Sequence, residues 1–419
     1  MDNPFARYTF ADLVGRRTLK WQAYPPDVIP LWVAEMDTDL ADPVRDAVVA
    51  AVGRGEVGYP SGRAYPEALS RFAADLWDWS IDPDTLRHTT DVITGMADVA
   101  GLVTPPDGVL VIATPIYPPF LGLPEITRRA VRYVSLTDAG RLDLDGLAAG
   151  FAAIRADGRQ PTLLLSNPHN PTGVAHTRDE LAGVASLAAE YGARVVSDEI
   201  HAPLVYPGAV FTPYLSVPGT ERAYAIHSAS KSFNLPGLKA ALIVPGTEAI
   251  GELTEGLPTM VDMSASSMGI LAHAVALNEG RDWLAEHLSG LTANRAVLAD
   301  LLAEQLPAVR WREPEATYLA WLDCRALGLG DDPAAVFLEQ GRVALNSGLL
   351  FGPGGAGHVR LNFATAPSIL AEAVSRMRSV VSGREAERRL RLERRESKHA
   401  LRLRTRSEDG ALGAQPNSE

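Results

Sequence analysis

Apolar positions along this chain follow two rhythms. Short unbroken apolar runs recur at GVLVIAT (108–114), PTLLLSNP (161–168), RVVSDE (194–199), ERAYAIHS (221–228) and KAALIVP (239–245). Runs of this length, closed by Pro, Asn or Gly, read as strands buried on both faces. Between two of them, Thr177 to Gly192 carries Leu181, Val184, Leu187 and Ala188 on one face of a helix. Strands alternating with helices predict a mostly parallel sheet covered on both sides. Later, TYLAWLDC (317–324) and HVRLNFA (358–364) alternate like antiparallel strands. A helical stretch around 268–305 leads into them, and 341–357 ends in a glycine-rich loop. The first forty-odd residues are punctuated by Pro25, Pro26, Pro30 and Pro43 and read as an irregular arm.

Ligands of parallel sheets collect at the carboxyl ends of the strands. Asn167, Asp198 and Ser228 all fall at or near predicted strand ends, so three polar clusters are expected to converge there. At 419 residues the chain exceeds one ordinary domain. Its net charge of -12 argues against a polyanionic partner, whether nucleic acid or anionic membrane. The single cysteine, Cys324, allows no internal disulfide and no cysteine metal framework. The start, MDNPFARYTF, has no basic segment followed by an apolar run, and no apolar stretch is long enough to span a bilayer. A cytoplasmic protein is the expectation. The end differs from the rest: Arg384 to Arg406 holds ten Lys/Arg against four Glu. It reads as a solvated tail outside the fold, with a basic interaction arm as the other reading.

Candidate chemistry centres on SASKSFNLPG (228–237). Lysine is ordinarily a surface residue. Lys231, however, lies among small hydroxylated residues and is followed by Asn-Leu-Pro-Gly, which places it in a loop off a strand end. An amine there can form an imine with a carbonyl cofactor once burial and charge lower its pKa. Ser228 and Ser230 can donate to a phosphate, and Lys239 adds charge nearby. In SDEIH (197–201), a buried carboxylate can keep a pyridine nitrogen protonated. The alternation in VVSDE puts Asp198 and Glu199 on opposite faces, and Asp198 is preferred. In SNPHNPTG (166–173), the Asn170 amide can meet a phenolic oxygen. TGMADVA (94–100) is read as a glycine before a helix start, a place for phosphate. Tyr117, in TPIYPPF (114–120), can stack on a ring, and Arg360, in VRLN, can hold a carboxylate bidentately.

Taken in order, these motifs resemble the fold-type I pyridoxal-5'-phosphate (PLP) enzymes, the aspartate-aminotransferase superfamily, over residues 25 to 380. LWVAEMD (31–37), SDEIH (197–201), SKSFNLPGL (230–238) and TYLAWLD (317–323) are most similar to the cystathionine β-lyase branch typified by MalY and PatB. His201 stands where aminotransferases carry a tyrosine. The resemblance implies an α/β fold: a large domain with a mostly parallel seven-stranded sheet flanked by helices, and a smaller α+β domain. It implies an N-terminal arm and part of the small domain at 1–45, a large domain at 46–279, the C-terminal small domain at 280–382 and a charged tail at 383–419. Lys231 becomes the Schiff-base lysine, Asp198 the pyridinium partner and Asn170 the O3' partner. Tyr117 becomes the stacking ring; Gly95, Met96, Ser228 and Ser230 become phosphate holders; His201 joins the cofactor site. Arg360, with Asn170 and Tyr117, faces the substrate. Tyr59, in VGYP, matches a tyrosine that reaches the neighbouring subunit, which implies a homodimer with shared sites. The implied activity is carbon–sulfur β-elimination on a small amino-acid thioether, with no metal. An aminotransferase, and a regulatory or binding protein on the same fold, are the alternatives.

Overall fold

A computed structural model describes residues 3–384 of the chain. The apolar runs form the centre of a seven-stranded sheet. In chain order its strands are β1 (Arg87–Thr89), β2 (Val109–Thr114), β3 (Ala130–Ser135), β4 (Pro161–Ser166), β5 (Arg194–Asp198), β6 (Tyr224–His227) and β7 (Ala241–Pro245). They lie in the spatial order β1-β7-β6-β5-β4-β2-β3. The neighbours from β3 across to β6 pair in parallel; β7 runs against both β6 and β1. Every residue of β2, β4, β5, β6 and β7 is buried.

Successive side chains of a strand enter opposite cores, as the pleat requires. Leu110 and Ile112 pack with Val92, Met96 and Val99 of the helix Val92–Val103 on one face. Val109 and Val111 pack with Leu147, Phe151, Leu181 and Val184 of the helices Leu144–Ala156 and Arg178–Tyr191 on the other. The helix expected at Thr177–Gly192 forms with Thr177 closing a capping box on Glu180 and Gly192 ending it in the left-handed region. The stretch expected as helical over 268–305 is two helices, Ser267–Glu279 and Arg281–Gln305, broken at Gly280.

A second, antiparallel sheet contains β8 (Arg310–Trp311), β9 (Leu319–Asp323), β10 (Asn346–Ser347) and β11 (His358–Asn362), ordered β10-β11-β9-β8. The irregular arm holds short helical turns at Pro4–Arg7, Phe10–Leu13 and Leu19–Gln22. Its Ile29–Pro30 pairs in parallel with Val343–Ala344, which ties the arm to a segment more than three hundred residues later. A helix runs from 367 to the last described residue, 384; the remainder of the charged tail expected at 383–419 lies outside the described residues. No helix among the described residues is long and apolar enough to cross a membrane.

Candidate active site

Because β2, β4, β5 and β6 run in parallel, their carboxyl ends open on one edge. Asp198, the last residue of β5, lines one cavity with Tyr117, Asn170, Ser228, Ser230 and Lys231 from the segments after β2, β4 and β6, and with His201. The Tyr117 N–H donates to the Asn170 carbonyl at 3.0 Å, joining two of these loops. Asp198 is buried, and its Oδ1 accepts from the Ile200 N–H at 3.0 Å. Burial, with the neighbouring Glu199 adding to it, pushes its carboxyl up to about 7 against the opposing pull of the Ile200 hydrogen bond and the Lys231 amine. Glu199 faces away, as alternation requires: its Oε1 accepts from the Tyr214 N–H at 2.8 Å, and its Oε2 lies 3.0 Å from His227 Nε2.

Burial also lowers the Lys231 amine to about 8, with the Arg360 guanidinium as the next contributor. Its Nζ donates to the Ala34 carbonyl at 3.0 Å. His201 is held neutral: burial, then Lys231 and Arg360, lower its pKa to about 3, and its Nδ1 is unpartnered. Arg360, on β11, is not among the residues lining the cavity but contacts Asn170, which is. Its Nη1 donates to Asn170 Oδ1 at 3.1 Å, its Nη2 to the Trp32 carbonyl at 3.0 Å, and its Nε is unpartnered. The guanidinium is 2% exposed and pairs with no carboxylate among the described residues. A buried cation in that state favours an arriving anion.

Two of the expected phosphate residues lie elsewhere. Gly95 is not before a helix start but inside the helix Val92–Val103, facing the sheet. A Cβ there would meet Thr89 Cγ2 at 2.9 Å and Ile226 Cγ2 at 3.2 Å. Met96 is fully buried in the core beside it. The helix begins three residues before the glycine, capped by Asp91, and Val92 and Ile93 line the cavity instead. Their N–H groups belong to the first turn, where no intrahelical acceptor exists. The signal was present in the sequence: Asp91 stands three residues before Thr94, whose N–H its side chain receives at 2.9 Å. Ser228 lines the cavity, but its hydroxyl donates to the Ala240 carbonyl at 2.7 Å. Tyr59 is 83% exposed and is not among the residues lining the cavity.

Sequence reasoning also missed the wall opposite Lys231. The carbonyls of Leu31 to Met36 all accept hydrogen bonds from elsewhere in the fold. Asn362 donates from its backbone to Leu31 and from its amide to Val33 and Glu35. Arg360 serves Trp32, Lys231 and Tyr318 share Ala34, and Asn234 brackets Met36 through both its amide atoms. Asp37 closes the segment, held by Lys20 Nζ at 2.7 Å and Trp21 Nε1 at 2.8 Å in a wholly buried cluster.

A family profile, "Aminotransferase class I and II", matches residues 26–377. The chain belongs to that family, the fold-type I PLP enzymes. A Mycobacterium leprae relative, whose name offers cystathionine β-lyase as an unproven activity, is 47% identical over 90% of this chain and 97% of its own. The cystathionine β-lyase of Corynebacterium glutamicum is 35% identical, over 88% and 98%. A crystal structure from Corynebacterium diphtheriae, named on the same unproven footing as a PLP-dependent β-cystathionase, superposes with a TM-score of 0.84 at 34% identity, covering 90% of this chain and 98% of the other.

The cavity's chemistry fits PLP. A lone buried carboxyl answers a pyridinium N–H, and a buried amine of lowered pKa answers an aldehyde. The free N–H groups of Val92 and Ile93, with Ser230 and Lys239, answer a phosphate.

Proposed function

We propose that this chain is a PLP-dependent carbon–sulfur β-lyase. It cleaves cystathionine or a related cysteine S-conjugate to a thiol, pyruvate and ammonia, as a cytoplasmic homodimer with shared active sites. One observation carries the reading: Lys231 and the buried Asp198 line one cavity with Asn170, and the buried guanidinium of Arg360, with no carboxylate partner among the described residues, donates to that Asn170. The named cystathionine β-lyase at 35% identity supports the reaction type.

Bound PLP supplies an electron sink for negative charge at the substrate α-carbon. Asp198 keeps a proton on the ring nitrogen and so maintains that sink. Arg360 would hold the substrate α-carboxylate, with Asn170 beside it, and this would orient the substrate for loss of its α-proton. Lys231, with an amine pKa near 8, removes the α-proton as a general base. The same amine, then protonated, is placed to hand a proton to the departing sulfur. Tyr117 and His201 wall the ring, and the imidazole stays neutral beside two cations. Water completes the products: thioether plus water gives thiol, pyruvate and ammonia. The large exposure of Tyr59 on its loop suits a residue that completes the neighbouring subunit's site.

The test is turnover of cystathionine and of S-alkyl cysteines by the PLP-loaded protein without any 2-oxo acid. Equimolar thiol and pyruvate are expected. An absolute requirement for a 2-oxo acid acceptor makes the chain an aminotransferase and overturns the proposal. Binding of these amino acids with no turnover of either kind overturns it in favour of a regulatory or binding protein.

A further inference from the structure

The end of the cavity suited to phosphate contains an anion of the protein's own. Asp91 caps the helix Val92–Val103 through Oδ1, which accepts from the Thr94 N–H at 2.9 Å and from the Thr94 hydroxyl at 3.0 Å. Its Oδ2 lies 2.9 Å from Lys239 Nζ. Asp91, Val92, Ile93, Ser230 and Lys239 line this end together. A helix cap alone does not require charge there, because serine or threonine caps without it. Nor does Lys239 need a counter-ion for solvation, since its side chain is 53% exposed. What the carboxylate adds is negative potential where a dianionic ester would settle, and it occupies the ammonium of Lys239, which lines this end of the cavity.

We propose that Asp91 is an affinity-setting residue that competes with the cofactor's phosphate for Lys239 and for the helix start. This rests on the PLP reading of the same site. Without cofactor, Asp91 and Lys239 neutralise each other. When a phosphate enters, Lys239 is shared between two anions, and the repulsion between phosphate and carboxylate weakens binding. Two unit charges about 5 Å apart in a partly hydrated site interact by enough to change an affinity roughly tenfold. The phosphate would thereby contribute roughly tenfold less to cofactor affinity than it would without Asp91.

The experiment measures the dissociation constants of PLP and of pyridoxal, which lacks the phosphate, for apoprotein by visible absorption. Asp91→Asn keeps the cap, because asparagine accepts the Thr94 N–H equally well. It is expected to bind PLP roughly tenfold more tightly and pyridoxal within twofold of the wild type. Lys239→Gln is expected to weaken PLP binding, and Asp91→Asn added to it to recover less than it gains alone. PLP affinity that is unchanged or weaker in Asp91→Asn overturns the proposal, as does an equal gain for pyridoxal. If Asp91→Asn does not fold, Lys239→Gln decides: unchanged PLP affinity shows that there is no shared ammonium and overturns it. Wild-type protein that binds no PLP at all overturns the cofactor reading itself, a separate outcome from the first.

Discussion

Replacing Asp198 by Asn separates what the carboxylate does for the reaction from what it does to the fold. Asparagine keeps the size and the Oδ1 that accepts from Ile200, so only the charge is lost. In the apoprotein the folded carboxyl keeps its proton up to about 7, whereas the unfolded one loses it near the ordinary value of 3.8. Between those values the native state binds the extra proton, so stability falls as pH rises. At about 1.36 kcal/mol per pH unit, the whole window is worth about 4 kcal/mol, and the part between pH 5 and 7 about 2.7 kcal/mol. The Asp198→Asn apoprotein lacks this loss. Its advantage over the wild type in urea unfolding, at one fixed protein concentration, should widen by about 2.7 kcal/mol between pH 5 and 8. In the PLP-loaded enzyme the sign reverses. Removing one partner of a buried ion pair costs about 3–5 kcal/mol, so turnover should fall by about a hundredfold to several thousandfold. A gap that stays constant with pH, or turnover within tenfold of the wild type, refutes the reasoning.

Three further outcomes follow from the geometry. Arg360→Lys keeps the charge but loses the planar fork, so KM for an S-alkyl cysteine should rise about tenfold to a hundredfold while kcat changes less; a KM within twofold refutes the carboxylate clamp. Gly95→Ala forces a methyl against Thr89 and Ile226, so thermal unfolding should show a loss of about 1–3 kcal/mol, while PLP affinity stays within threefold; a selective loss of PLP affinity at unchanged stability would restore the glycine as a phosphate residue. If Tyr59 completes the partner's site, mixing inactive Tyr59→Ala and Lys231→Ala proteins through reversible dissociation should recover activity, because one hybrid site has neither substitution; no recovery after proven exchange refutes site sharing.

The sheet was legible where burial was complete. β2, β4 and β5 are apolar on both faces, and a continuous run is the only pattern such strands can carry. β3 escaped notice because it is an edge strand and four of its six residues are exposed, with Arg132 and Tyr133 breaking the run. β1 is three residues long, too short for a period to register. Within the site, Asp198 was separable from Glu199 because a strand's two-residue alternation survives to its last residue. Lys231 stood out because its surroundings are not helical. The start of the helix Val92–Val103 was misplaced because a glycine drew attention from the aspartate four residues before it. Helix starts are set by the cap, and glycine inside a helix can serve packing. Contacts such as Lys239 with Asp91, or Asn234 with Met36, join segments 148 and 198 residues apart, and no local pattern encodes them.

The segment from Leu31 to Asp37 has a practical corollary. The family profile starts at residue 26, so a trimmed gene drawn to that boundary would leave out Lys20 and Trp21. Yet these two clasp Asp37, at the end of the segment whose carbonyls receive Lys231 and Arg360. Such a shortened protein would retain each residue that defines the family and still leave its chemistry without a back wall, because homology and mechanical support end at different points along this polypeptide.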